Sequence, residues 1–284
     1  MKIAIGSANL GTKYGLFGKK KFEIKELQKV EKLLSKSKIE FIDTAHQYKS
    51  SEEIIGKSKL KNLNIITKIK LPKQSTLSIN KIVNKIIFKS LKRLNKKTIH
   101  SILVHDYRDL LGKKGKEFLK ELKMLKRNGF VKNIGISIYD PNDLKKIWKF
   151  WKPDLVQIPL NLFDQRILES SWLKILKKNK IQVFARSCFL QGLLIGDYNS
   201  LNIPKNLCLH LKKFENWCTT NKISRLKACL DFVRQINQID CIVVGFNDFN
   251  QLNDILNEFK KKSKKISYKL KLSNLNYIDP RRWN

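Results

Sequence analysis

Four side chains that can move or stabilise a proton lie at comparable places in the first 105 residues of this 284-residue chain. Asp43 and Lys68 each end a short apolar run, and His105 follows the next such run. If these runs are neighbouring parallel strands, about 4.8 Å apart, Asp43 and Lys68 can form an ion pair. Tyr48 lies five residues after Asp43, and a nearby ammonium group favours tyrosinate and lowers the pKa of a phenol. The pattern therefore predicts an acid/base site.

Each of these residues also has a plain structural interpretation. Asp43 could cap a helix, Lys68 could be a rim lysine with a buried stem, and His105 could be a hydrogen-bonded turn residue. These interpretations are favoured for single residues, whereas the group on consecutive strand ends favours acid/base chemistry. Further polar residues follow later apolar runs at the same point: Ser137, Gln157, Arg186 and Ser187.

The elements that must position these residues are short β-branched runs alternating with amphipathic stretches. The predicted strands are Ile3–Ser7, Glu40–Asp43, Asn64–Lys68, Ser101–Val104, Asn133–Ser137, Leu155–Ile158, Gln182–Ala185 and Cys241–Val244. The predicted helices are Ile24–Ser37, Ser51–Ser58, Ile79–Leu94, Gly115–Asn128, Pro141–Phe150, Glu169–Asn179, Leu207–Gln235 with a break near Asn221, and Phe249–Lys262.

Eight strand–helix units of about 35 residues predict an α/β protein with a (β/α)8 TIM barrel, whose chemistry lies at the carboxyl ends of the strands. A doubly wound open sheet is the rival, but no G-x-G-x-x-G follows the first strand. No linker interrupts the units. We predict a single domain over residues 1–262 and a basic C-terminal extension over residues 263–284.

The segment Asp43–Gly56 resembles the D-T-A-x-x-Y-G-x-S-E-x-x-I-G motif of aldo-keto reductases, with Lys49 where glycine is usual. The resemblance covers residues 2 to about 258 in family order, and the strand-end Lys and His in register make it specific. It implies an NAD(P)-dependent oxidoreductase that reduces an aldehyde or ketone to an alcohol. The other matching segments are Ile66–Lys68, Leu103–His105, Gly135–Ser137, Val156–Asn161, Gln191–Gly196 and Val244–Gly245.

The resemblance also implies a role for each residue. Tyr48 would be the general acid for the carbonyl oxygen, with Lys68 lowering its pKa. Asp43 would hold Lys68, and His105 would orient the carbonyl. Hydride would come from a reduced nicotinamide, because no amino-acid side chain donates hydride. The residues expected at the cofactor are Gly6, Ser7, Ala8, Ser137, Gln157, Arg186, Ser187, Gly192, Gly245, Asn247 and Gln251.

Departures from the family pattern concern the two ends of the cofactor. Ile138 replaces a frequent Asn, so one carboxamide contact is expected to be lost. Arg186 replaces an aromatic ring that many members stack on the nicotinamide; its plane could stack, or its charge could hold an acidic substrate. No basic residue that could clamp a 2′-phosphate lies between Val244 and Glu258, and Asp248 could repel one. The family's general habit still favours NADP(H), with NAD(H) as the close alternative.

The run Arg186–Leu194 resembles bacterial aldo-keto reductases associated with surface-polysaccharide and activated-sugar synthesis. This implies a sugar-derived or otherwise anionic carbonyl substrate, with Lys49 and Arg186 as cationic contacts. Cys188 in this run could be a reactive thiol, although a packed thiol is favoured. The sequence leaves open whether the tail Tyr268–Asn284 folds over the substrate pocket.

The net charge of +35, from 59 Lys and Arg against 24 Asp and Glu, raises an alternative function. A basic nucleic-acid or anionic-surface binding protein on an inherited barrel would explain it. However, only nine of the 59 basic residues are Arg, and the basic residues as a whole are dispersed over every predicted helix instead of clustering on one face. Lys, Asn and Ile enriched together are typical of A+T-rich coding sequence. We therefore expect no specific nucleic-acid partner; a non-redox relative that retains the fold is a third alternative.

The cysteines and apolar runs bear on metal, redox state and location. The five cysteines form no C-x-x-C pair, so neither a zinc site nor a disulfide scaffold is expected. The first apolar run is too short for a signal sequence, and no 18-residue apolar window occurs. The prediction is a soluble cytoplasmic protein with a small-molecule carbonyl or alcohol substrate and an undetermined oligomeric state.

Overall fold

Eight short apolar strands close into a parallel barrel in chain order. The computed structural model describes residues 1–18, 22 and 24–283. The strands are β1 Lys2–Gly6, β2 Phe41–Asp43, β3 Asn64–Ile69, β4 Ile99–Val104, β5 Val131–Ser137, β6 Leu155–Pro159, β7 Gln182–Arg186 and β8 Cys241–Val244. Pairing of β1 with β8 closes the sheet. The predicted (β/α)8 barrel is confirmed, and the open sheet is excluded.

Helices surround the barrel and bury their apolar faces on it. The helices of the described residues are α1 Ala8–Gly11, α2 Ile24–Ser35, α3 Ser51–Lys57, α4 Ile79–Leu94, α5 Arg108–Leu111, α6 Gly115–Arg127, α7 Pro141–Trp148, α8 Arg166–Glu169, α9 Trp172–Lys178, α10 Lys205–Thr220, α11 Arg225–Arg234, α12 Phe249–Lys260 and α13 Leu275–Ile278. Single turns of 3-10 helix occur at Lys59–Asn62, Leu190–Gly192, Tyr198–Ser200, Tyr268–Leu270 and Pro280–Arg282.

The barrel interior explains why polar side chains meet at one end. Phe41, Ile66 and Leu103 belong to the apolar cluster that fills the barrel, as do Leu155 and Phe184. Side chains two residues apart lie on the same face of a strand, so the residue two positions further on also points inward, at the carboxyl end. Those residues are Asp43, Lys68, His105, Gln157 and Arg186.

Local sequence signals set most helix boundaries. Asp140 caps α7 through a capping box with Asp143, with proline at the first helical turn. The long predicted helix breaks where expected, since α10 ends at Thr220 and α11 begins at Arg225. Most predicted helix ends lie within two residues of the observed ends. The largest difference is in the helix predicted from Glu169, because Glu169 ends the short α8 and α9 starts only at Trp172. The short helices α1, α5 and α13 lie outside every predicted helix.

The C-terminal residues 263–283 lie against the barrel. The backbone N–H of Leu272 donates to Phe163 O, and Ile278 and Asp279 are buried. The boundary after residue 262 stays a prediction, and Asn284 lies outside the described residues. No helix within the described ranges has the length and apolar character needed to cross a membrane.

Candidate active site

One cleft at the carboxyl ends of the strands is lined by all of the predicted acid/base and cofactor residues. Its empty volume, including the open mouth, is about 960 Å³. The predicted acid/base residues that line it are Asp43, Tyr48, Lys68 and His105. The predicted cofactor residues that line it are Gly6, Ser7, Ala8, Ser137, Gln157, Arg186, Ser187, Gly192, Gly245, Asn247 and Gln251. The structure thus brings together residues that are up to 245 positions apart in the chain.

A buried ion pair joins Asp43 and Lys68 at the floor of the cleft. Lys68 Nζ lies 2.5 Å from Asp43 Oδ2, and the two side chains are 2% and 8% exposed. Lys68 Nζ also donates to Thr44 O (3.0 Å), and Gln157 Nε2 donates to Asp43 Oδ1 (2.8 Å). These contacts differ from those of a rim lysine or a helix cap. Because removing two charges from water is costly, the pair is weak as a stabilising device and has the character of a functional group.

Tyr48 lies above this pair, with its ring centroid 5.4 Å from Lys68 Nζ and its ring edge-on to His105 at 6.4 Å. Burial, followed by the negative charge of Asp43, raises the pKa of the Tyr48 phenol above its usual value, and Arg186 opposes this. The predicted lowering of the Tyr48 pKa by Lys68 is therefore wrong for the protein without bound cofactor or substrate. The Lys68 charge is already matched by Asp43, so desolvation of the phenolate prevails. At neutral pH Tyr48 holds its proton.

His105 is held neutral beside Tyr48. Burial, followed by the charges of Lys68 and Arg186, lowers the pKa of His105 to about 3. His105 Nδ1 lies 3.2 Å from Gln47 Oε1. A neutral imidazole carries one N–H, and the hydrogen bond to the Gln47 amide influences which nitrogen bears it. Gln47 Oε1 can only accept, so in this arrangement Nδ1 carries the N–H and Nε2 is a neutral acceptor. A half-turn of the Gln47 amide, which exchanges its oxygen and nitrogen, would move the N–H to Nε2.

The segment that carries Tyr48 is fixed by small residues and buried hydrogen bonds. Ser51 at the start of α3 exchanges hydrogen bonds with Ser7 Oγ (2.7 Å) and Thr44 Oγ1 (3.1 Å). A Cβ added to Gly11 would lie 2.1 Å from Tyr48 O, so only glycine permits α1 to pack so closely here. These contacts fix the backbone at Tyr48 between α1 and the start of α3.

Lys49 occupies the position after Tyr48 in a left-handed conformation, with φ of 43°. This is the conformation that favours glycine, the usual residue of the motif. The Lys49 side chain is exposed, and it lines neither the cleft nor the cavity beside it. The structure therefore does not bring Lys49 to the expected cationic contact.

Arg186 extends from the end of β7 across the end of β5. It donates to Ile138 O (3.0 Å) and Ser187 Oγ (3.1 Å), and its guanidinium carbon lies 4.1 Å from the ring centroid of Tyr139. Among the residues that the structure describes, no carboxylate lies within 4.0 Å of it. Arg186 thus brings an unpaired positive charge to the cleft.

The far end of the cleft lies at the start of α12. Asn9 Nδ2 donates to Asn247 Oδ1 (2.6 Å) and Phe246 O (2.8 Å), and Gln251 Oε1 accepts from Asn247 N (2.7 Å). Asp248 caps the helix by accepting from Gln251 N (2.8 Å). Asn9 Oδ1 is a buried acceptor without a partner in the described part of the chain. The N-terminus of α12 offers N–H donors to an anion such as phosphate, and Asn9 Oδ1 offers an acceptor to a donor group of a ligand.

Several lining residues escaped the sequence reasoning. Tyr14 and Phe189 lie in loops, Asn9 in the four-residue helix α1 and Gln191 in a single 3-10 turn, and segments this short carry no periodic signal. Tyr139 had a usable signal, since it lies two residues beyond Ser137 at the end of β5. Cys188 lines the cleft but is buried, and burial raises the pKa of its thiol, as expected for a packed cysteine. Within the described residues, no cluster of three or more His, Cys, Asp or Glu could hold a metal ion.

The chain is similar to known proteins both in sequence family and in fold. The family model described as the aldo/keto reductase family matches residues 2–270. The glycerol dehydrogenase AKR11B4 from Gluconobacter oxydans has a similar structure, with 21% identity, a TM-score of 0.72 and coverage of 98% of this chain and 92% of that chain. The aldo-keto reductase AKR11C1 from Bacillus halodurans (holo form) has 17% identity, a TM-score of 0.72 and coverage of 93% and 88%. At these identities the two structures show similarity of fold alone. A search among curated proteins gives no match.

Proposed function

Because the chain belongs to the aldo/keto reductase family, whose members use nicotinamide cofactors, we propose that it reduces an aldehyde or ketone to an alcohol with NADPH or NADH. The observation that carries this proposal is the buried Asp43–Lys68 pair beneath Tyr48 and next to His105. A buried ion pair is costly for a protein that only needs a stable barrel. In an enzyme that generates a negative charge on Tyr48 during turnover, the Lys68 ammonium of this pair can stabilise that charge.

The four residues divide the work of proton transfer. Tyr48 is protonated at neutral pH and donates its hydroxyl proton to the carbonyl oxygen as that oxygen becomes an alkoxide. Lys68 stabilises the tyrosinate that remains, and Asp43 keeps the Lys68 ammonium in place. His105, neutral and edge-on to Tyr48, orients the carbonyl by a hydrogen bond from Nε2–H, in the tautomer that forms when the Gln47 amide is turned to donate to Nδ1. The raised pKa of Tyr48 suits the reducing direction, which requires the acid form.

The residues of the cleft fit a nicotinamide dinucleotide, which supplies the hydride when bound. Ser137 and Gln157 offer hydroxyl and amide groups where the carboxamide is expected, although Gln157 Nε2 is already used by Asp43. Gly6, Ser7 and Ala8 line the trough after β1. Gly245, Asn247 and Gln251 lie by the N-terminus of α12, whose N–H groups and dipole favour phosphate. Arg186, Ser187 and Gly192 line the wall after β7.

The preference between NADPH and NADH rests on opposing considerations. The family's habit places NADPH first, whereas the carboxylate of Asp248, which caps the start of α12, would oppose an additional phosphate placed there. Quenching of protein fluorescence by each cofactor measures the preference directly. Asp248→Asn retains a capping side chain and removes the charge, so it should tighten NADPH binding more than NADH binding. If neither cofactor binds, the proposed reductase function fails.

The substrate proposed is a small polar carbonyl compound, sugar-derived or anionic. The resemblance of Arg186–Leu194 to reductases of polysaccharide and activated-sugar synthesis and the unpaired charge of Arg186 support it. One structurally similar protein is named a glycerol dehydrogenase, so hydroxylated carbonyls belong in the substrate panel. A cytoplasmic location stays a prediction.

The test uses the purified chain with NADPH or NADH and a panel of aldehydes, ketones and sugar-derived carbonyls, followed by loss of nicotinamide absorbance. We expect oxidation of the cofactor that depends on the carbonyl. The alternative of a basic nucleic-acid or anionic-surface binder predicts binding of a DNA duplex or anionic vesicles at physiological salt without turnover. A non-redox relative predicts cofactor binding without turnover of any carbonyl. Either of these results would overturn the proposal.

A further inference from the structure

Two arginines from distant parts of the chain stack on one tyrosine at the mouth of the cleft. The guanidinium carbon of Arg186 lies 4.1 Å from the ring centroid of Tyr139, and that of Arg281 lies 3.9 Å from it. Two guanidinium planes cannot fit side by side over one face at these distances. We infer that the Tyr139 ring lies between them, and the two centroid distances place the guanidinium carbons at most about 8 Å apart.

This stack joins the cleft to a second cavity. Tyr139, His105 and Ser137 line both spaces, whereas Arg186 lines the cleft and Arg281 lines the second cavity. Arg281 belongs to the C-terminal tail, in the turn Pro280–Arg282. The tail thus reaches the region next to His105, where the carbonyl is oriented under the proposed function.

Charge in the cleft favours an anion. Its described lining residues include one carboxylate, Asp43, and two cations, Lys68 and Arg186, while His105 is neutral. Asp43 is matched by Lys68, so the Arg186 charge remains unbalanced. An anionic group close to Arg186 would balance it in a partly desolvated space.

Arg281 adds free donors on the other face of the ring. Its Nε and Nη2 donate to the buried carboxylate of Asp279, and no hydrogen bond of Nη1 occurs among the described residues. Asp279 thereby fixes the direction of the guanidinium.

The carboxylates of the second cavity are already engaged. Asp106 pairs with Arg108 and Lys70, Asp140 with Arg166, and Asp143 accepts backbone N–H groups at the start of α7. They do not approach Arg281 within 4.0 Å as ion-pair partners.

We propose that Arg186 and Arg281, held on either face of Tyr139, form an anion-binding subsite for the substrate. The substrate is then a carbonyl compound that also carries a carboxylate or a phosphate. This inference rests on the proposed reductase function and adds the substrate class, a recognition role for the tail and a role for Tyr139. The subsite selects the substrate and takes no part in proton or hydride transfer.

The experiment compares matched probes with and without the anionic group, in turnover and in binding. One pair is 4-oxobutanoate and butanal; the other is glyceraldehyde 3-phosphate and glyceraldehyde. The pairs distinguish a carboxylate from a phosphate as the anion recognised. We expect the parent protein to prefer one anionic probe over its neutral partner by at least about 10-fold in kcat/KM and in affinity measured by calorimetry.

Arg281→Gln should reduce that preference by about 10-fold or more, mainly through KM, and Arg281→Lys should restore part of it. Arg282→Gln is the matched control, because the Arg282 side chain is an exposed neighbour that lines neither cavity. Loss of the tail from the barrel would also remove Arg281 from the subsite, so two further values are measured in Arg281→Gln: its melting temperature and its kcat/KM for the neutral probes. Both should stay at the values of the parent protein.

Three results would overturn the inference. The first is a parent protein that does not distinguish the anionic from the neutral probes. The second is Arg281→Gln with a lower melting temperature but an unaltered preference, which marks a purely structural stack. The third is Arg281→Gln that weakens NADPH binding as much as 4-oxobutanoate binding, which assigns the charge to the cofactor. Calorimetric preference for an anionic probe without turnover of any carbonyl would leave the subsite standing and refute the reductase function.

Discussion

Replacing Lys68 by Met should destabilise the protein strongly, because it leaves a buried carboxylate without its counter-ion. The Asp43 side chain is 8% exposed and loses its partner at 2.5 Å, and Thr44 O loses a donor at 3.0 Å. Removal of one partner of a buried pair costs about 3–5 kcal/mol of unfolding free energy. Lys126→Met is the matched control, since Lys126 and Asp154 form an exposed pair, 41% and 36% accessible, worth about 0–1 kcal/mol.

The measurement is urea unfolding of the parent, Lys68→Met, Asp43→Asn and the double variant. Asp43→Asn combined with Lys68→Met removes both charges, so the double variant should be more stable than the sum of the single changes predicts, by about 1–3 kcal/mol. Both variants that lack Lys68 should also lose carbonyl reduction. Additive effects, or a Lys68→Met variant as stable as Lys126→Met, would refute the interpretation of a desolvated pair beneath Tyr48.

Two other perturbations follow from the same geometry. The pKa of His105 is about 3 in the folded protein against 6.5 as the ordinary value, so the unfolded chain binds more protons between these limits. The free energy of unfolding should therefore fall as the pH drops from about 6.5 towards 3, and His105→Gln should make it depend less on pH. Urea titrations at several pH values measure this dependence. The same pH dependence in His105→Gln and the parent would contradict the assignment of a buried, neutral His105. Gly11→Ala should lower stability by about 1–3 kcal/mol and reduce turnover, because its Cβ would lie 2.1 Å from Tyr48 O. Gly112→Ala, whose nearest neighbour would be 3.9 Å away, should change both by little, and equal effects of the two would count against a tight α1 contact.

The sequence predicted the barrel and the meeting of the acid/base residues because both depend on local patterns. Asp43 and Lys68 come two residues after the inward-facing Phe41 and Ile66, so the strand period alone carries them to the barrel mouth. The motif around Tyr48 then supplies the loop. A pattern of this kind needs no knowledge of long-range packing.

Sequence patterns did not predict the pKa of Tyr48 or the position of the C-terminal tail, because both depend on long-range packing. The pKa of Tyr48 is a balance between burial, Asp43 and Arg186, and spacing along the chain says nothing about which term prevails. Arg281 stacks on Tyr139 only because the tail folds back onto the segments that follow β5 and β6, with contacts such as the hydrogen bond from Leu272 N to Phe163 O. Lys49 follows Tyr48 directly in the sequence, yet its backbone is left-handed and its exposed side chain does not line the cleft. Adjacency in the sequence therefore did not predict where the Lys49 charge lies.

The most direct test of the proposed chemistry is Tyr48→Phe, which removes one oxygen atom and keeps the ring over Lys68. Tyr277→Phe, in α13 and outside the cleft, is the matched control. With a carbonyl that the parent reduces, we predict that kcat/KM falls by about 100- to 10,000-fold in Tyr48→Phe, whereas NADPH binding by fluorescence quenching is retained. A Tyr48→Phe variant that turns over as fast as the parent and Tyr277→Phe would contradict the assignment of Tyr48 as the general acid.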